Sequence, residues 1–108
     1  MMKIEQMVLG YSIRVEIQKL DIGWDIGIYG GSRTHVGAVS IASPDKKVET
    51  MEFPGHKESV ITAQWAEQLS QVYNAPICVR CGIHYENATK EQIKEIIDSC
   101  EKILQKLN

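Results

Sequence analysis

The sequence predicts an α+β domain: a mostly antiparallel sheet of about six strands with two helices packed on one face, in the order five strands, helix, strand, helix. Three observations predict it. Apolar residues recur with period two through the first half of the 108-residue chain. The period then lengthens to that of a helix, and one short apolar run separates two helical stretches.

Ile13, Val15 and Ile17 alternate with Ser12, Arg14, Glu16 and Gln18, the pattern of a strand with one buried and one wetted face. Met7 to Leu9 is expected to pair with it. Ile22, Trp24, Ile26 and Ile28 alternate again until Gly30-Gly31-Ser32 breaks the chain. His35 to Ala42, rich in Val, Ile and Ala, reads as a fourth strand ending at Ser43-Pro44-Asp45, where proline presets a turn. Val48 to Phe53 makes a weaker fifth. The connections are short and so predict antiparallel neighbours, because a parallel crossover needs about a dozen residues or more.

From about Lys57 to Tyr73 the apolar residues Ile61, Trp65, Leu69 and Val72 lie four, four and three apart, one stripe of a helix that Asn74 and Pro76 end. Ile77 to Ile83 is a short apolar run, read as a central strand largely covered on both faces. Thr89-Lys90-Glu91-Gln92 matches a capping box and opens the last helix. Its stripe is Ile93, Ile96, Ile97, Cys100, Leu104 and Leu107, with lysines gathering at the C-terminal end. Trp24 and Trp65 lie on apolar stripes and read as core packing. Two helices cover one face of a sheet, so the other face predicts self-association, with a dimer as the simplest closure.

A chain of this length makes one domain with its own core. Twelve Lys plus Arg against fourteen Asp plus Glu leave a formal charge of -2, which provides no field for a polyanion and excludes nucleic acid as a partner. Apolar runs are too short to span a membrane, and Met1-Met2-Lys3-Ile4-Glu5 lacks the features of a signal peptide, so a cytoplasmic location is expected. Three cysteines, an odd number, read as reduced thiols. Cys78 and Cys81 lack the second cysteine pair a structural zinc site would need. Strand alternation also points them to opposite faces, so they read as structural thiols.

All three histidines stand beside glycine: His35 in Gly30-Gly31-Ser32-Arg33-Thr34-His35-Val36-Gly37, His56 after Gly55, and His84 after Gly82-Ile83. They are either three independent loop residues or one shared site, since glycine lets a ligand approach the main chain closely. The Gly30 to Gly37 segment joins two predicted strands, which excludes a phosphate loop or Rossmann turn. Its amides, with Arg33 and His35, suit an anion such as phosphate or carboxylate; the alternative is a glycine-rich hairpin with a solvated Arg33. Gly55-His56-Lys57 falls where the first helix starts, so free amides, the helix dipole and two cations converge there. The alternative is a simple turn. Arg80 and His84 share a strand face across Gly82, unless Arg80 merely pairs with a neighbouring acid. His35, His56 and His84 also suit a divalent metal, and Glu58 and Glu86 stand where they could orient an imidazole.

Taken together and in this order, the segments from Gly30 to Val39, Gly55-His56-Lys57-Glu58, Gly82-Ile83-His84 and Asn87-Ala88-Thr89 resemble the prenylated-flavin chaperone (LpdD-like) family, from about Tyr11 to Leu104. The resemblance implies a fold like that of proteasome assembly chaperones and a homodimer. It also implies handling of prenylated FMN between a flavin prenyltransferase and a prenylated-flavin-dependent decarboxylase. It marks Gly31, His35, Gly37, Gly55, His56, Lys57, Gly82 and His84 as the binding constellation, to which the residue reading adds Arg33 and Arg80. No catalytic residue is assigned. Three readings follow: a prenylated FMN binding chaperone, a protein-assembly chaperone without a small ligand, and an accessory enzyme using a histidine base or a His-bound metal.

Overall fold

The alternating first half of the chain folds into five strands: β1 (Met2–Val8), β2 (Tyr11–Lys19), β3 (Trp24–Gly31), β4 (Ala38–Ser43) and β5 (Lys46–Glu52). They are followed by α1 (Ser59–Tyr73), β6 (Ile77–His84) and α2 (Lys90–Leu107). The computed structural model describes residues 1–54 and 58–108. Gly55, His56 and Lys57, three of the predicted site residues, lie outside the described residues.

β1 begins five residues before the predicted strand and pairs along its whole length with β2, Val8 opposite Tyr11. The two residues between them, Leu9 (φ 52°) and Gly10 (φ 85°), are both left-handed, the pattern of the two-residue turn whose twist matches a hairpin.

The sheet order is β1-β2-β3-β6-β4-β5. β6 runs parallel to β3 and antiparallel to β4, and every other neighbouring pair is antiparallel. The expectation of antiparallel neighbours from short connections therefore holds along β1-β2-β3 and at β4-β5 and fails once, between β3 and β4, where β6 is inserted. Residues 32–37 are long enough for this. Two strand spacings are about 9.6 Å, and six residues reach about twice as far.

Both helices cover one face. Ile61, Trp65, Ala66 and Leu69 of α1, with Ile96, Cys100, Ile103 and Leu104 of α2, are buried in one cluster with Ile13, Val15, Ile17, Ile26, Ile28 and Val79. Two residues of the predicted stripes fall outside it: Val72 is 49% exposed and Ile93 47% exposed. Ile22 sits in the turn before β3 and is exposed. Trp65 is core as expected, whereas Trp24 is half-buried at the sheet's end, stacked on Tyr73 with centroids 4.6 Å apart. A small polar network crosses the core. Ser40 Oγ lies 2.7 Å from Thr62 Oγ1 and 2.7 Å from Thr50 Oγ1, so that each buried hydroxyl is satisfied.

β6 is central, but it is covered on one face only. Ile77, Val79 and Cys81 are buried beneath the helices, while Cys78 and Arg80 on the other face are half-buried. The expected covering of both faces is thus corrected: among the described residues no helix packs on the far face of the sheet. The three cysteines are free thiols, with Cys78 half-buried and Cys81 and Cys100 buried.

Candidate functional site

The connection from β3 to β4 has to pass over the end of the inserted β6, and backbone hydrogen bonds hold it there. Ser32 N–H donates to His84 O (2.8 Å), Gly37 N–H donates to Cys81 O (2.8 Å), and Arg33 forms an isolated antiparallel bridge with His84. Main chain lies on main chain along this crossing, which explains two of the glycines. Gly31 has φ +82°, and a Cβ on it would overlap the carbonyl of His84. A Cβ on Gly82 would overlap the carbonyl of His35. At Gly37 a side chain would run into the Glu58 carboxylate.

These close approaches bring Gly31, Arg33, His35, Gly37, Gly82 and His84 to one corner of the molecule. Each histidine there has a carboxylate partner: His35 Nε2 lies 3.0 Å from Glu58 Oε1, and His84 Nε2 lies 3.1 Å from Glu86 Oε1. The first pair is largely buried and the second exposed. Glu58 is also the N-cap residue of α1, so the His35 contact ties the crossing loop to the start of that helix.

Beside the corner, between the first turns of α1 and α2 and the end of β6, lies an open cavity of about 400 Å³. Its walls are mostly apolar, from Val60, Ile61, Ile83, Ile93, Ile96 and Ile97, and its polar groups come from Glu58, His84 and Tyr85. Tyr85 is fixed from behind: its hydroxyl donates to Val8 O (2.7 Å), its ring meets Tyr11 edge to face, and burial pushes its hydroxyl pKa up. The second wall depends on the capping box, in which Gln92 N–H donates to Thr89 Oγ1 (3.1 Å) and Thr89 N–H donates to Gln92 Oε1 (2.9 Å). Ile93 and Val60 escape the core because they face this cavity. Sequence reading assigned Ile93, Ile96 and Ile97 to a core stripe and passed over Val60 and Tyr85. The apolar residues continuing past the β6 break, Ile83 and Tyr85 around His84, were the available signal.

Arg80 is not part of this corner. It stands four residues before His84, about 13 Å along the strand, on the uncovered face. There Nη2 lies 3.2 Å from Asp25 Oδ1 and Nη1 donates to Tyr29 Oη at 3.2 Å. Gly55, His56 and Lys57 directly precede Glu58 in the chain. Among the described residues no group of three or more His, Cys, Asp or Glu is placed to hold a metal ion, so the metal reading gains no support. Likewise, among the described residues no helix is long and apolar enough to cross a membrane.

Fold and site together define a small α+β domain with an apolar, half-open cavity rimmed by histidine–glutamate pairs. The chain belongs to the prenylated flavin chaperone LpdD-like domain family, whose model matches residues 8–108. It is 27% identical over 89 residues to Protein LpdD of Lactiplantibacillus plantarum, an alignment covering 78% of this chain and 65% of that protein. In fold it is similar to a chain in the crystal structure of a chaperone complex for yeast 20S proteasome assembly, with a TM-score of 0.51 and 12% identity over 97% of this chain and 95% of that one.

Proposed function

We propose that this protein is a binding chaperone for prenylated FMN. It would carry or protect the cofactor between a flavin prenyltransferase and a prenylated-flavin-dependent decarboxylase. The observation that carries the reading is the apolar cavity beside the paired histidines, in a chain of this family. Its isoleucine and valine walls suit a flavin ring system enlarged by prenyl carbons, where burial contributes about 25 cal/mol per Å² of apolar area. The Glu58 carboxylate at its inner wall disfavours a phosphate there. The ring end therefore points inward and the phosphate outward. Outside, Arg33 is bridged to His84, and by sequence His56-Lys57 adjoins the start of α1, so these residues would hold the phosphate. The bound cofactor would supply the chemistry of the decarboxylase; this chain's residues bind it and keep water from it.

The test is an anaerobic titration of prenylated FMN, with unmodified FMN beside it, against the wild type, Val60→Asp and His84→Ala. Val60 is 57% exposed, so the substitution leaves the fold intact while placing a charge on the wall. Both variants are expected to bind prenylated FMN at least about tenfold more weakly, a loss of about 1.4 kcal/mol. Folded wild type with no affinity for the prenylated cofactor overturns the reading. The exposed Ile41 and Met51 on the uncovered sheet face favour a second reading, a protein-assembly chaperone. Tight binding to the decarboxylase without flavin binding would establish that instead.

A further inference from the structure

The ring of Tyr85 is held from several directions, none of them the cavity. With Ile83, two residues before it, Tyr85 packs against the core cluster and borders the cavity. Its hydroxyl donates to Val8 O at 2.7 Å, and the Tyr11 ring stands at 87° to it with centroids 5.6 Å apart. On β3, Gly31 leaves room for it, since a Cβ there would come within 3.0 Å of Tyr85 Cδ1. Val8, Tyr11 and Gly31 all lie outside the cavity lining. A phenol has a single O–H, and Val8 O takes it, so the hydroxyl donates nothing to a ligand. What the cavity is offered is the ring itself.

The remaining walls are of another kind. Val60 and Ile61 of α1 and Ile93, Ile96 and Ile97 of α2 are branched aliphatic groups, whose non-directional attraction sets no preference for a flat ligand over a rounded one. The second ring at the cavity, His84, is drawn toward Glu86, with Nε2 3.1 Å from Oε1. We infer that Tyr85 makes this cavity selective for a flat aromatic ring: it is the platform on which the isoalloxazine of the cofactor lies, while the aliphatic walls of the two helices cover the opposite face and take the prenyl carbons. The inference rests on the cofactor reading and adds to it the wall that the ring system meets. A phenol is rich in π electrons and an isoalloxazine is poor in them, so offset stacking of the two is favourable beyond the area it buries. Burial raises the hydroxyl pKa, which keeps the platform a neutral phenol in neutral solution. Because the ring is already fixed, little side-chain freedom is lost when a ligand stacks on it.

Two variants isolate the ring. Tyr85→Phe and Tyr85→Leu both lose the hydroxyl and its bond to Val8, and both keep the wall apolar, so they differ in the ring alone. In anaerobic titrations Tyr85→Leu is expected to bind prenylated FMN at least about tenfold more weakly than Tyr85→Phe. Proton–carbon spectra of the wild type, labelled at its four tyrosines, give a second readout that needs no Leu variant to fold. The Tyr85 signals are those missing from Tyr85→Phe. On saturation with prenylated FMN they should shift upfield, in the ring current of a stacked flavin, while those of Tyr73, stacked on Trp24 at the sheet's end, stay in place. Equal affinity of the folded Phe and Leu variants overturns the inference, and so does a saturated wild type in which Tyr85 moves no more than Tyr73. Either result leaves the cofactor reading standing, because the wild type has bound. A folded wild type that binds no prenylated FMN overturns that reading and this inference together.

Discussion

His35 and Glu58 stand 23 residues apart in sequence, yet His35 Nε2 lies 3.0 Å from Glu58 Oε1. This contact fastens the loop that crosses β6 to the first turn of α1. Replacing His35 by Ala should cost about 1–3 kcal/mol, because the largely buried Glu58 loses a hydrogen-bonded partner. Urea denaturation checks the stability. The loosened loop should also weaken cofactor binding, whereas His84→Ala, whose pair with Glu86 is exposed, should leave the urea midpoint nearly unchanged.

Gly82 makes a sharper case. Its missing side chain is space occupied by the carbonyl of His35, which is backbone and cannot rotate away. Gly82→Ala should destabilise by about 3 kcal/mol or more, in the range of severe overpacking. Thermal melts that match the wild type would show that the loop can lift from β6 at little cost.

Removing the cap of α2 tests whether the helix start shapes the cavity. Thr89→Ala should cost about 1 kcal/mol, the usual value of a lost N-cap. Because Ile93, Ile96 and Ile97 follow within two turns, cofactor affinity should fall with it. Amide exchange in residues 90–93 should rise while that of the core strands stays as it was.

Burial pushes the Cys100 thiol from its ordinary value near 9 up to about 12, and it raises that of Cys81 as well. The folded state keeps these thiols protonated at pH values where the unfolded chain has released their protons. The contribution of Cys100 is therefore complete below about pH 9 and is lost as pH rises toward the folded value, at about 1.4 kcal/mol per pH unit, and that of Cys81 is lost in the same direction. Urea midpoints should fall steeply between about pH 9 and 11, and less steeply in Cys100→Ala. A flat profile would mean that the thiols ionise in place.

Most elements of this fold were legible because periodicity reports which side of a segment faces the core. Ile13, Val15 and Ile17 were readable as buried, and so were Ile61, Trp65 and Leu69. Periodicity does not report which strand lies beside which. The insertion of β6 between β3 and β4 depends on pairing between residues 38–42 and 77–81, and no local pattern encodes that. Gly31, His35, Gly37, Gly82 and His84 stand out in the sequence as glycine beside histidine, a pattern that leaves open whether they are one site or independent loop residues; the structure brings these five to one corner through the loop that crosses β6. Their partners were only half visible: Glu86 lies two residues from His84, whereas the contact of His35 with Glu58 needs the tertiary fold. Ile93 and Val60 were misassigned or missed because an apolar residue in the first turn of a helix looks the same from sequence whether it meets a sheet or lines a cavity.

The late strand also dictates the order in which this chain can be completed on the ribosome. When residues 1–54 have emerged, β3 and β4 exist side by side in sequence but have no strand between them, and each presents an unpaired edge of backbone amides and carbonyls. Those edges close only when residues 77–84 arrive between them, and the 32–37 loop gains its backbone partners, Cys81 O and His84 O, only then. A chain stalled before β6 thus carries two adhesive edges and half a core. Its vulnerability to misassembly during synthesis comes from strand order rather than from the composition of any one strand.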